Sequence, residues 1–277
     1  VKISVAGAGV TGLTCGVVLA ERGHDVTIVA SEIGAASRAA AAVWFPYDCE
    51  PEESVTAWAL VTYRRLLELA REPDTGVSLV EFRCLDVPLP AWIAALGKLP
   101  LMDTSVYLDY LRNRFRGELR LGVTLRSLDE LAGNVTVNCT GVGARELASD
   151  AAVEPHRGQI LIVDKFDLPA ALVHETSLAY AIPRANDCIL GGTNDVSDDL
   201  APKEKDTAKI LDICREYLGV TGRVREVKVG LRPFRRGGVR LEAEGRVIHN
   251  YGHGGSGFTV SWGCAEAVAA LCVHALE

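Results

Sequence analysis

Val1-Lys2-Ile3-Ser4-Val5-Ala6-Gly7-Ala8-Gly9-Val10-Thr11-Gly12-Leu13 is the stretch on which the fold turns. It reads as a β-strand, a tight glycine turn and the start of a helix. Gly7 permits the turn, Gly9 lets the backbone approach a pyrophosphate, and Gly12 lets helix and strand pack closely. The helix continues through Leu13, Val17, Leu19 and Ala20 to a stop at Gly23, and a second strand follows at residues 25–30. A lone Gly-x-Gly-x-x-Gly is a weak signal. With a strand before it, a helix after it and a second strand behind, it marks a dinucleotide site, with Ala8, Val10 and Thr11 completing the turn.

An acidic residue at the end of the second strand would ordinarily hold the ribose hydroxyls. Here Ser31 stands right after the strand and Glu32 comes next. Either can reach the ribose, and a solvated Glu32 in a loop is an equal alternative. Residues 34–42 are rich in small side chains, including Ser37, Arg38, Ala41 and Ala42, and read as a packed turn into a second helix. A cofactor can lie against such a backbone. The cluster Val43-Trp44-Phe45-Pro46-Tyr47 that follows implies burial.

The chain has 277 residues, 48% of them hydrophobic and 23% charged, which describes a globular protein able to bury a large core. Its net charge of -7 argues against nucleic acid as a partner. No apolar run is long enough to span a membrane. The N-terminus enters a strand at once, so a cytoplasmic location is expected. Eight scattered cysteines form no Cys-x-x-Cys pair. Buried free thiols are expected and a metal site is not, although one surface bridge involving Cys188 or Cys214 remains open. His249 and His253 are four apart but lack a third ligand.

Further along, residues 53–71 form an amphipathic helix, residues 77–100 a strand-and-turn region broken by prolines, and residues 105–116 another helix. Residues 121–125, which end in Leu125, read as a short strand. So do residues 135–140, which run into Gly141, and there Thr140 and Gly141 can face the cofactor. From Gly158 the pattern changes to short strands at 159–163, 172–173, 178–182, 188–190 and 227–231, interrupted by a helix at 206–218. This predicts a mainly antiparallel sheet. Near the end, His249 to Gly263 contains Gly252, Gly254, Gly255, Gly257 and Gly263, a loop too pliable to be core. A helix over residues 259–276 follows, its N-terminal amides facing whatever anion lies beyond.

These motifs together resemble the D-amino acid oxidase family of FAD-dependent enzymes. The matching pieces are Gly7-Ala-Gly-Val-Thr-Gly12, Ala39-Ala-Ala-Ala-Val-Trp-Phe-Pro-Tyr47, Asn138-Cys-Thr-Gly-Val142, Arg157-Gly-Gln-Ile160, Tyr180-Ala-Ile-Pro183, Gly230-Leu-Arg-Pro-Phe-Arg235 and residues 247–263. The resemblance implies an α/β fold, with a Rossmann-like FAD domain (residues 1–45, 117–158 and 232–277) and an α+β substrate domain (residues 46–116 and 159–231). It implies FAD held by the glycine turn, by Ser31 or Glu32, by Ser37, Arg38, Ala41, Ala42 and Val43, and by Leu125, Thr140 and Gly141. At the C-terminal end the contacts would be Arg232, Gly254, Gly255, Ser256, Gly257, Phe258 and Thr259. The last three would open the helix toward the flavin edge where negative charge builds on reduction.

The implied reaction is hydride transfer from the Cα of a D-amino acid to flavin N5. Dioxygen then takes the electrons to give hydrogen peroxide, and water converts the imino acid to the 2-oxo acid and ammonia. Arg232 matches the carboxylate anchor, Tyr180 a second carboxylate contact, and Gly255 the backbone carbonyl that accepts from the amine. No general base is placed, as expected if alignment of Cα is the main requirement. The family's second tyrosine is Thr176 here and residues 174–180 are shorter than in animal members, so a more open site is expected. Turnover would then be limited by flavin reduction or reoxidation. Neutral substrates are expected from Val43, Phe45 and Ile182; a D-aspartate oxidase would need a further cation such as Arg184, Arg235 or Arg236. More distant alternatives are a glycine or sarcosine oxidase and a flavin binder without turnover. A homodimer is common in the family.

Overall fold

A computed structural model describes residues 1–47 and 49–274. The first half runs β1 (Lys2–Ala8), α1 (Val10–Glu21), β2 (Asp25–Ile33), α2 (Glu52–Leu69), β3 (Val77–Cys84), α3 (Ala91–Ala94), β4 (Leu99–Met102), α4 (Thr104–Arg114), β5 (Glu118–Arg120), β6 (Val135–Asn138) and α5 (Ala144–Leu147). The second half runs β7 (Val153–Asp164), β8 (Ala170–His174), β9 (Ala179–Pro183), β10 (Asp187–Gly191), β11 (Asp195–Val196), α6 (Glu204–Leu218), β12 (Val224–Arg235), β13 (Arg240–Glu244), β14 (Val247–Tyr251) and α7 (Gly257–His274). Two sheets organise them, one Rossmann-like and one mainly antiparallel, as the sequence predicts.

The first sheet has the order β13-β14-β6-β1-β2-β5, with parallel pairing from β14 to β5 and an antiparallel edge strand β13. Because β1 is followed in space by β2 on one side and β6 on the other, the strand order reverses at its C-terminal end. That is where an open α/β sheet leaves a crevice for a ligand. Helix α1 is buried along nearly its whole length because it lies between this sheet and α7, which also packs on α2.

The second sheet carries eight strands in the order β11-β7-β10-β9-β8-β3-β4, with β12 paired along β7. Period-two alternation divides its faces. Leu161, Val163, Ala179 and Ala181 pack under α6, while Ile160, Ile182 and the half-buried Tyr180 face the other way. The polypeptide passes between the two sheets after β2, β4, β6 and β12.

Several local expectations differ. β2 extends to Ile33, so Ser31 and Glu32 sit within the strand and not after it. A register shift at Ala6/Ala8 lets Ala8 pair with Ile33 and prolongs the ladder. The turn after Gly34 makes only one 3-10 turn (Ser37–Ala39) and then extends to Val43, so no second helix forms there. The strand expected at 121–125 is displaced to Glu118–Arg120, a polar edge strand against β2. Residues 122 and 123 instead close a turn through backbone bonds to Ser31 and Ala30. Cys188 and Cys214, weighed as surface bridge partners, are buried free thiols. The end of the last predicted helix, residues 275–276, lies outside the described residues.

Candidate active site

One cavity of about 870 Å³ runs from the C-terminal ends of β1, β2 and β6 to the open face of the second sheet. This is within the range of small-molecule sites. At the β1 end Gly7 has φ +99°, a conformation that L side chains rarely adopt. A Cβ at Gly9 would lie 3.3 Å from Ser37 Oγ, which accepts the Val10 amide at 3.1 Å. The first turn of α1 holds no acidic residue, so its positive end is free to face an anionic pyrophosphate. Exposed Ser31 and Glu32 both line the far end, with Leu125 in the loop after β5. These residues fit an extended dinucleotide.

Most residues expected to touch the cofactor line this cavity, namely Ala8, Thr11, Ser37, Arg38, Ala41, Ala42, Val43, Thr140, Gly141, Gly254, Gly257 and Phe258 among them. Two do not. Gly12 is buried beneath the turn, where a Cβ would overlap the Gly7 carbonyl oxygen. Its part is to let α1 meet β1.

Ser256 is also withdrawn from the cavity wall. Its Oγ accepts from the Tyr47 amide at 2.9 Å and donates to the Tyr47 carbonyl at 2.6 Å. Thr259 grips Phe45 in the same way, at 3.2 and 3.0 Å. These paired bonds fasten the glycine loop to residues 45–47. The loop read as too pliable for core is therefore largely buried: Tyr251, Gly252, His253, Gly254 and Ser256 all lie inside.

His253 lies in the cavity wall, 3% exposed, with its Nε2 3.0 Å from Asn250 Oδ1. Burial pushes its pKa down from 6.5 to about 4. The unfolded chain therefore binds one more proton between those values, and stability is fully present above pH 6.5 and lost as pH falls toward 4. A shift of that size corresponds to about 3 kcal/mol. Thermal unfolding between pH 7 and 4 should show the loss. His253→Gln should flatten the profile in that window, and an unchanged slope would remove His253 as its source.

The substrate end is built on the second sheet. Arg232 on β12 pairs with His156 on β7, and its guanidinium lies over the neighbouring Gly158, where a Cβ would come within 2.6 Å of Cζ. Nη1 donates to the Thr193 carbonyl at 2.9 Å and approaches Asn194 Oδ1 at 3.4 Å. Thr193 is in turn fixed by the Gln159 amide, which donates to its Oγ1 at 2.8 Å. The fork is thus held before any ligand arrives.

Tyr180 lies beside it, its ring packed on the backbone of Gly191 and Gly192. Burial pushes the Tyr180 phenol above its ordinary range against the pull of the Arg232 guanidinium, which keeps the hydroxyl a donor. Gly255 stands opposite, with space for a Cβ only 3.3 Å from the Tyr47 ring and 3.9 Å from Arg232 Cδ. Val43, Phe45 and Ile182 form an apolar wall, extended by Phe82, which stacks on Phe45 at 5.0 Å.

Sequence reasoning missed Gly158, Thr193 and Asn194 as supports of Arg232, and Tyr47 and Glu175 as wall residues. Tyr47 stood inside a matched motif and could have been named; nothing in the sequence marks Asn194. Within residues 174–180 the turn proper is 175–178, between β8 and β9. Asp86, two residues beyond β3, accepts the Glu175 and Thr176 amides at 2.8 Å each. Burial raises the Asp86 carboxyl, but these bonds overcome it and hold it well below the usual carboxylate range.

Among the described residues no helix is long and apolar enough to cross a membrane, and no group of His, Cys, Asp and Glu could hold a metal. The chain is 40% identical to the D-amino-acid oxidase of Rubrobacter xylanophilus, over 99% of this chain and 96% of that one. It is 32% identical to human D-aspartate oxidase, over 100% and 96%. Glycine oxidase from Bacillus cereus superposes with a TM-score of 0.82 at 16% identity, covering 100% of this chain and 96% of that one, a likeness of fold. The model of the DAO family, FAD dependent oxidoreductase, matches residues 2–87 and 111–271. That span takes in the glycine turn, the strand that carries Arg232 and the loop clamped to residues 45–47, and the chain belongs to this family of FAD-dependent oxidoreductases.

Proposed function

We propose that the protein oxidises neutral D-amino acids to 2-oxo acids, ammonia and hydrogen peroxide. Membership of the family makes it an FAD-dependent oxidoreductase acting on amino-acid-like substrates. The observation that carries the finer reading is the Arg232 fork, held over Gly158 with Tyr180 beside it and Gly255 opposite. A guanidinium with free donors toward an apolar cavity is suited to a carboxylate, which it meets with two parallel charge-assisted bonds.

FAD, when bound, supplies the acceptor for the two electrons of Cα–N oxidation and passes them to dioxygen. The residues of this chain orient the substrate. Arg232 and the Tyr180 hydroxyl take the carboxylate, the Gly255 carbonyl accepts from the amine, and the wall of Val43, Phe45 and Ile182 receives the side chain. Three fixed points select one enantiomer. The relatives named for D-amino acids support the D form.

The cations considered for a D-aspartate oxidase are engaged elsewhere. Arg184 makes two bonds to Asp187 at 2.6 and 2.9 Å, Arg235 bonds Asp150 at 2.8 Å, and Arg236 pairs with Glu154 at 2.9 Å. This favours neutral side chains. The test is anaerobic mixing of the FAD-loaded protein with D- and L-alanine and larger neutral pairs. The D-forms should bleach the flavin and the L-forms should not; comparable bleaching by L-forms would sink the reading.

A further inference from the structure

Among the described residues, four charged side chains line the cavity: Glu32, Arg38, Glu175 and Arg232. Arg232 is the carboxylate anchor. Glu32 lies at the β2 end, and Arg38 is turned to the Ile33 carbonyl at 3.2 Å and to Asp109 at 3.8 Å. That leaves Glu175, to which the reaction gives no task.

Its placement follows from register. Val173 on β8 pairs with Tyr180 on β9, and His174 with Ala179. Glu175 opens the turn that follows β8, and Val173, Glu175 and Leu178 all line the cavity. The hairpin that carries Tyr180 therefore brings Glu175 into the wall of the same cavity, at the turn end of the β8–β9 pair. The backbone there is fixed by Asp86 through the Glu175 and Thr176 amides. Among the described residues no cation pairs with Glu175. His174, its neighbour, faces Asp86 at 3.3 Å and the Tyr217 ring at 4.6 Å.

We propose that Glu175 sets the charge preference for the substrate side chain: cationic side chains are accepted beside neutral ones, and anionic ones are rejected. The inference rests on the reading of Arg232 as the anchor of the α-carboxylate. A carboxylate in the cavity wall attracts an ammonium or guanidinium and repels a second carboxylate. Its partly exposed position limits the effect to about fivefold per unit charge, weakening with salt.

The experiment compares kcat/KM for two matched pairs, D-lysine with D-norleucine and D-glutamate with D-glutamine. Parent, Glu175→Gln and Glu175→Lys are each measured at low and physiological ionic strength. The lysine-to-norleucine ratio should fall about fivefold in Glu175→Gln, and the glutamate-to-glutamine ratio should rise by a similar factor. Glu175→Lys should move both ratios further in the same directions. The changes should sit in KM, since the contact is the same in ground and transition states.

A second readout is free of turnover. Dissociation constants of hexanoate, 6-aminohexanoate and hexanedioate, read from the flavin absorbance, should shift in the same order. Ratios and constants that move by less than twofold in both variants would overturn the role of Glu175. D-alanine oxidation by the parent separates the two ideas. If it is present while the ratios stay unchanged, Glu175 alone is refuted. If the parent oxidises no D-amino acid, the underlying reading fails first.

Discussion

Arg232→Ala should raise the Michaelis constant for D-alanine at least about tenfold while FAD stays bound. A charge-assisted hydrogen bond contributes about 1.5–3 kcal/mol, and each 1.4 kcal/mol is a factor of ten. Leaving the substrate carboxylate without its partner adds to that loss. Arg232→Lys should recover only part of it, because lysine restores the charge but not the fork, and Nη1 would no longer reach Thr193 and Asn194 as it does at 2.9 and 3.4 Å. Steady-state kinetics on the two variants, with flavin content measured alongside, decide the matter. Kinetics of Arg232→Ala that match the parent would end the assignment.

Gly12→Ala should yield a protein that no longer holds FAD. An added Cβ would overlap the Gly7 carbonyl oxygen and come within 2.9 Å of its carbon, and both are backbone atoms that cannot swing aside. Helix α1 would have to lift from β1, moving the Gly7–Val10 amides away from the pyrophosphate position. We expect the FAD dissociation constant to rise at least about a hundredfold, close to 3 kcal/mol, or the chain to fail to fold. Gly23→Ala is the control. Gly23 has φ +83° but nothing within 4 Å of a Cβ, so the change should cost only about 1–2 kcal/mol and leave flavin binding intact. A Gly12→Ala protein with the parent's flavin content and melting temperature would refute this account.

The nucleotide half was legible because local rules and tertiary packing agree there. The spacing of Gly7, Gly9 and Gly12 admits one backbone path, and the apolar runs on either side match strand and helix periods. The short strand read at 178–182 is likewise present, and its alternation puts Ala179 and Ala181 on the α6 side and Tyr180 and Ile182 on the other. The strand expected at 121–125 went astray for the opposite reason. The edge of β2 chose Glu118–Arg120, where Glu118 and Arg120 are polar because an edge strand is half exposed, and hydrophobicity pointed to the wrong segment.

Residue identity and spacing along the chain were enough to specify the βαβ glycine turn and the mainly antiparallel second sheet, and the family resemblance singled out Arg232. Long-range pairing settled the rest. The glycine loop is buried because Ser256 and Thr259 grip the backbone of residues 47 and 45, more than 200 positions away. Arg232 owes its aim to Gly158, Thr193 and Asn194, which reach it through the β7–β12 register and a turn 38 residues upstream. Glu175 has its backbone held in the cavity wall by Asp86, two residues past the end of β3. A local pattern records the preferences of one segment. Which distant backbone groups satisfy its hydrogen bonds is determined only when the two sheets close on each other.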